Sequence, residues 1–209
     1  MRKFDPACVR CPRLAGFLQS VRLQHPEYHA APVPSFGVER PRLLVVGLAP
    51  GMHGANRTGR PFTGDHAGIL LYRTLFDFGF ADRPESTAAA DGLQLIRCRI
   101  TNAVRCLPPA NKPTPAEVSE CNGYLAGELD ALDGGVVLAL GAIAHAAVLR
   151  ALGMKPAASR FAHGAEHALT ADRVLLDSYH CSRYNTQTRR LTGEMFARVV
   201  GRARELLDR

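Results

Sequence analysis

Between Gly47 and Asp65 the chain reads Gly-Leu-Ala-Pro-Gly-Met-His-Gly-Ala-Asn-Arg-Thr-Gly-Arg-Pro-Phe-Thr-Gly-Asp. Glycine and proline at this density, directly behind an apolar run, make a loop whose exposed backbone N–H groups suit an anion or a carbonyl oxygen. The loop lacks the Gly-Lys-Ser/Thr ending of a phosphate-binding loop and the glycine spacing of a dinucleotide fold. Asp65 stands just before a helical pattern, where a carboxylate serves as N-cap. Asn102 ends a second apolar run, and its amide offers both a donor and an acceptor. His180 follows a later one. No Lys lies in these three loops (Lys112 is just beyond the second), which argues against Schiff-base chemistry.

Six cysteines are present: Cys8, Cys11, Cys98, Cys106, Cys121 and Cys181. Cys8-Val-Arg-Cys11 has the short gap of a chelating pair, and Cys106 and Cys121 form a second, wider pair. Four thiolates from two separated segments could hold zinc or an iron–sulphur cluster, and spacing alone does not choose. Disulfides are not expected in a reducing compartment. Cys98, inside an apolar run, reads as an inert core residue. His145, on an Ala-rich helical pattern, reads as packed rather than catalytic, whereas His53 lies in the first loop and could approach a substrate.

Elements must hold these residues. Residues 42–48, 95–103, 135–140 and 173–178 are short runs rich in Val, Leu and Ile without strict alternation, as expected of parallel strands covered on both faces. Helical patterns cover 66–78, 115–132, 142–152 and 194–207, the second opening on Thr114 as N-cap with Pro115 behind it. Residues 81–92 read as a loop, and 160–170 as a small hairpin turning at His163-Gly164. The alternation predicts one α/β/α domain over residues 1–209 with a central, mostly parallel four-stranded sheet. In such sheets the site lies outside the carboxyl ends of the strands, where all three loops fall.

The 209 residues carry 26 Lys+Arg against 19 Asp+Glu, a net charge of +7. Nearly all the basic residues are Arg, which grips phosphate through two parallel hydrogen bonds. The charge suits a polyanion without proving one. At 46% hydrophobic and 22% charged residues, wholesale disorder is excluded. The most apolar stretch, 134–153, is broken by Gly141, His145 and Arg150, so no membrane span is expected. The N-terminus lacks the apolar run of a secretory signal, so a soluble cytoplasmic protein is expected.

Taken together, three segments resemble the iron–sulphur uracil-DNA glycosylases, specifically the type-5 branch: residues 47–65 already quoted, Thr-Asn-Ala-Val-Arg-Cys at 101–106, and His-x-Ser…Asn-x-Gln-Thr…Leu-Thr at 180–192. With the four cysteines, the resemblance spans nearly the whole chain in the expected order. It implies the glycosylase sheet and a structural 4Fe–4S cluster on Cys8, Cys11, Cys106 and Cys121. It also implies hydrolysis of uracil from double-stranded DNA by a monomer, with base-excision repair as the setting. The same loops on an iron–sulphur module that binds damage without cutting it are the alternative, and Asp65 and His180 discriminate, because a pure binder would not need them.

The resemblance also distributes roles. An extruded base wants a flat apolar face, which Phe62 offers, at roughly 1–3 kcal/mol of stacking. Asn102 reads the base edge, and Gly47 and Ala49 complete the base pocket. His180 and loop N–H groups face the base oxygens. Asp65 steadies the sugar cation or orients water. Other branches carry Asp or Asn where this chain has Ala49, so the acid comes from Asp65, and the pocket is roomy enough to suggest hypoxanthine or ethenocytosine as further substrates. The usual His-Pro-Ser reads His180-Cys181-Ser182, which implies a looser loop or a packed thiol. Tyr184 stands where relatives carry a wedging Leu. Arg183, Arg189 and Arg190 flank it as phosphate contacts, and Asn185 is a candidate contact to the orphaned base.

Overall fold

A computed structural model describes residues 3–155 and 159–208. Strands β1 (Phe36–Gly37), β2 (Leu43–Gly47), β3 (Cys98–Asn102), β4 (Gly135–Leu140), β5 (Glu166–Ala168) and β6 (Arg173–Ser178) form one sheet in the order β1-β3-β2-β4-β6-β5. Central strands β3, β2, β4 and β6 are mutually parallel and coincide with the four expected runs. The expectation of four strands is corrected to six, because β1 and β5 add to the two edges antiparallel. Both additions are two or three residues long and leave no periodic signal in the sequence.

Successive side chains of β2 leave the sheet on opposite faces, and both faces are buried. Leu43 and Val45 pack with α3 (His66–Asp77) and α7 (Gly193–Leu207) through Leu71, Leu75, Phe196 and Val200. Leu44 and Val46 pack with α1 (Pro12–Gln24), α4 (Pro115–Asp130) and α5 (Ala142–Ala151) through Leu14, Leu18, Leu125 and Val148. Helix α4 starts where Thr114 predicted it: its hydroxyl accepts from the Glu117 N–H while the Glu117 carboxylate accepts from the Thr114 N–H. Two short helices, α2 (Ala55–Thr58) and α6 (Arg183–Gln187), lie inside the loops expected to carry chemistry.

Two local expectations are corrected. The 95–103 run forms regular strand only from Cys98, because Arg97 is left-handed at φ +54° and its carbonyl turns to the N–H groups of Arg42 and Leu43. The hairpin is made by β5 and β6, Glu166 opposite Leu176, with its reversal at 169–172; His163-Gly164 turns the chain before β5 instead. Helix α1 had no counterpart in the periodic reading. Its buried face is only Leu14, Leu18 and Val21, spaced at three and four residues.

The 81–92 loop is anchored by one guanidinium. Arg60, buried, donates to Asp91 Oδ1 (2.7 Å), Ser86 Oγ (3.0 Å) and the Ala89 carbonyl (2.5 Å), and lies 4.2 Å over the Phe36 ring. Burial alone would raise the Asp91 carboxyl, but Arg60 and the N–H groups of Leu93, Thr87 and Ala88 outweigh it and hold it at about 2. A carboxyl held below its ordinary value stabilises the fold above pH ~4, and that contribution is lost as pH falls toward 2. Asp91→Ala leaves the Arg60 charge buried and unpaired, a loss of about 3 kcal/mol. Urea unfolding at pH 7 should show that loss, and the difference between variant and parent should shrink below pH 3.

Candidate active site

The register of β2 and β3 places Gly47 directly opposite Asn102 at the carboxyl edge of the sheet. Phe62 comes back over this pair from the loop. A Cβ on Gly47 would sit 2.4 Å from Asn102 Oδ1 and 2.6 Å from Phe62 Cζ, so only glycine lets the three meet. Phe62 is left-handed at φ +55°, a conformation a bulky residue rarely adopts. Its backbone is held from both sides. Tyr72 Oη–H donates to the neighbouring Pro61 carbonyl (2.7 Å), and Gly68 lets α3 approach so closely that a Cβ there would overlap the Phe62 carbonyl.

Phe62, Asn102, Ala49, Asp65 and His180 line one cavity of about 490 Å³, whose far wall is the β4–α5 turn at Gly141, Ala142 and Ile143. The structure thus brings together all but one of the expected base-side and catalytic residues; Gly47 stands behind the wall as the spacer that allows it. Two polar atoms of the lining residues, Asn102 Oδ1 and His180 Nδ1, are buried without a hydrogen-bond partner in the protein. Buried polar atoms are nearly always paired; the other unpartnered ones among the described residues, on Arg42, Asn56 and Arg105, belong to residues that do not line this cavity. The Phe62 and His180 rings lie 5.8 Å apart at 29°.

Asp65 is the N-cap of α3: its Oδ1 accepts from the Gly68 N–H at 2.9 Å. Its other oxygen faces the loop glycines, since a Cβ on Gly54 would strike Oδ2 and one on Gly51 would lie 3.6 Å from it. Burial raises the Asp65 carboxyl above the ordinary carboxylate range, while the N–H groups of Gly68 and Ala67 work against that rise. Burial brings the His180 imidazole down to about 4, so the ring is neutral at pH 7. Of the two readings of Cys181, the packed thiol is the observed one: it is fully buried, and burial together with the Asp65 charge pushes it up to about 12.

Several side chains of the rim make contacts within the protein. Asn185 turns its amide inward and donates to the His180 carbonyl at 2.8 Å, so it steadies the histidine's backbone. Arg190 stacks 4.6 Å over the Tyr179 ring. Arg183 lines the cavity, and Tyr184, on the first turn of α6, is 70% exposed. Helix α6 is tied to α3 by His66 Nε2 and Thr186 Oγ1 at 2.9 Å. Arg189 is left-handed at φ +57° at the end of this segment. His53 bonds the Tyr28 hydroxyl through Nδ1 at 2.8 Å and borders the neighbouring groove rather than this cavity. Asn111, which sequence reasoning missed, lines the cavity from a turn where it and Ala110 are both left-handed. The signal was the Pro-Pro-Ala-Asn run at 108–111, a turn in which Asn tolerates φ above zero.

Cys8 and Cys11 pack beside Cys106 and Cys121 in the core layer under α1 and α4. Burial raises Cys11 to about 11, with negative charge on Cys121 and Cys8 adding to it; burial raises Cys106 to about 12, with Cys121, Cys8 and Cys11 adding. Burial raises Cys121 as well, and thiols gathered in this way fit a cationic group held between them, which removes the mutual repulsion of their thiolates. Among the described residues, three or more ligand atoms within 4.8 Å of one another occur only at His145, His167 and Asp177.

The fold is thus an α/β protein whose mostly parallel sheet carries, at its carboxyl edge, a largely apolar cavity lined by Phe62, His180, Asn102, Asp65 and Arg183. The sequence profile of the uracil DNA glycosylase superfamily matches residues 34–204, and the chain belongs to that superfamily. Within it, a protein named type-5 uracil-DNA glycosylase from Thermus thermophilus is 47% identical over 206 residues, covering 96% of this chain and 94% of its own. One of the same name from Pyrobaculum aerophilum is 44% identical over 200 residues, covering 94% and 87%. Likeness to a type-4 uracil-DNA glycosylase from Archaeoglobus fulgidus, 37% over 113 residues, spans only 54% of this chain, which places it on the type-5 branch.

Because Gly47 is the spacer under both Phe62 and Asn102, Gly47→Ala must displace one of them. A shift of about 1 Å at a reacting site costs on the order of 100-fold in rate. The substitution should lower kcat/KM on a uracil duplex by about that factor, with the circular-dichroism spectrum of the folded protein retained.

Proposed function

We propose that the protein excises uracil from double-stranded DNA by hydrolysing its N-glycosidic bond, as a step of base-excision repair. The observation that carries this reading is the pair of unpartnered buried atoms, Asn102 Oδ1 and His180 Nδ1, in a cavity walled by Phe62. An extruded uracil would lay its ring against Phe62 and set its polar edge on Asn102, whose Oδ1 accepts from N3–H and whose Nδ2 donates to O4. Gly47 and Ala49 leave room for the ring. Neutral His180 donates a hydrogen bond to a base oxygen as negative charge grows there.

Cleavage leaves positive charge on the sugar. The free oxygen of Asp65 is the group suited to face it and to orient the attacking water, while the capping oxygen keeps the side chain in place. A carboxylate ~4 Å from a unit positive charge gains about 4 kcal/mol at an effective dielectric of 20, roughly three decades of rate if realised only in the transition state. Tyr184, exposed beside the cavity, fills the gap left in the base stack, and Arg183, Arg189 and the edge of Arg190 engage phosphates. Cys8, Cys11, Cys106 and Cys121 hold a 4Fe–4S cluster that braces the N-terminal segment. Hydrolysis needs no electron from it. The chain acts as one domain over residues 1–209, as a cytoplasmic monomer; no helix among the described residues is long and apolar enough to cross a membrane. With Ala49 at its wall and about 490 Å³ of space, the cavity also supports hypoxanthine and ethenocytosine as substrates.

Incubation with duplexes carrying single modified bases, followed by alkaline cleavage of abasic sites, tests the activity; intact uracil strands would refute it. Asp65→Asn retains an oxygen for the α3 cap and removes the charge, so single-turnover rate should fall about 1,000-fold with duplex affinity unchanged. Rate should be lost as pH falls through the raised Asp65 titration, and this acid limb should vanish in the variant, because His180 remains neutral down to about 4. The purified protein should be brown, with ~400-nm absorbance lost in Cys106→Ser.

A further inference from the structure

We infer that Asp177, clamped between His145 and His167, is a positioning residue that locks together the two walls of the cavity carrying His180 and the β4–α5 turn. The three side chains stand outside the cavity and have no part in the steps above. Asp177 is fully buried near the end of β6, three residues before His180. Its Oδ1 meets His145 Nδ1 at 2.8 Å, and its Oδ2 meets His167 Nε2 at 3.0 Å. His145 Nε2 meets the Ser159 carbonyl at 2.9 Å. Both nitrogens of His145 thus face acceptor oxygens, and the Asp177 carboxyl is held between two imidazole rings.

The location of the pair gives it leverage. His145 belongs to the first turn of α5, whose preceding residues Gly141, Ala142 and Ile143 are the far wall of the cavity. Asp177 belongs to the strand that delivers His180. Main-chain bonds follow the same line, from the Gly141 N–H to the Ser178 carbonyl (2.8 Å) and from the Gly164 N–H to the Asp177 carbonyl (2.8 Å). Beyond it, the Tyr179 N–H donates to His163 Nδ1 at 3.2 Å, and Asn185 holds the His180 carbonyl. The two hydrogen-bonded contacts of Asp177 thus join the strand that delivers His180 to the helix that begins at the cavity wall. The alternative occupant of the triad is a metal ion. Separations of 2.8 and 3.0 Å are those of hydrogen bonds, shorter than the ~3.3 Å that tetrahedral coordination at ~2.0 Å would impose.

This inference rests on the role given to His180. The test compares Asp177→Asn and His145→Gln with the parent protein, each holding its cluster, in single-turnover cleavage of a uracil duplex. Duplex affinity, thermal melting and metal content are measured alongside. The amide of D177N cannot accept from both rings, so the rate should fall 10- to 100-fold, with affinity within twofold and the NMR signals of the His180 ring displaced. H145Q, which keeps one donor toward Asp177, should retain more of the rate and should decide the matter if D177N does not fold. A folded variant that melts earlier yet cleaves at the parent rate would overturn the inference and leave the triad a brace of the fold alone. One zinc per chain, lost on D177N, would overturn it in favour of a metal centre. A parent protein that releases no uracil would instead sink the functional reading itself.

Discussion

The close approach of Phe62 and Asn102 across Gly47 is the contact on which the site depends. Two strands in parallel register bring Gly47 and Asn102 to the same level, and the missing side chain of Gly47 leaves a slot one ring thick. An aromatic ring and an amide oxygen then meet over one glycine at the wall of the cavity. Everything farther out serves that placement: Gly68 lets helix α3 press against the Phe62 carbonyl, Tyr72 holds the preceding carbonyl, and Arg60 ties the loop to its neighbour. The left-handed backbone of Phe62 is the strain this arrangement carries, and surrounding packing is what makes it tolerable.

Electrostatics inside the cavity follow from burial more than from charge pairing. Asp65 is met only by main-chain N–H groups at the start of α3, and burial raises it; His180 has no charged partner, and burial lowers it. The outcome is an acid–base pair with the histidine neutral. The surrounding Cys181, Ala49 and Phe62 supply the low-dielectric wall against which one negative charge has the greatest effect. Charge pairing is kept for the supports: Arg60 with Asp91, and Arg99 and Arg105 with Glu128, all away from the cavity.

A chain of few long-range ties connects the sheet edge to the rim. Asn185 reaches back to His180 and His66 reaches across to Thr186, so helix α6 with its exposed Tyr184 is fastened to both α3 and the histidine loop. The substitution of Cys181 for the usual proline is absorbed in this way. The stiffness that a proline ring would have supplied comes from a packed thiol and from side-chain hydrogen bonds on either side of it.

The order of strands and helices, the four thiols and the loops at the strand ends were legible in the residues themselves, because parallel buried strands are near-continuous apolar runs and caps such as Thr114-Pro115 are local chemistry. Asp65 as N-cap was legible for the same reason. The edge strands, the left-handed Arg97 and Phe62, the inward turn of Asn185, the stacking of Arg190 on Tyr179 and the Asp177 clamp were not. Each depends on a partner tens of residues away, or on space that another element leaves open, and one side chain bears no mark of that in its own neighbourhood. Residue type sets what a group can do; only packing decides which atoms are left without a partner, as Asn102 Oδ1 and His180 Nδ1 are at the cavity.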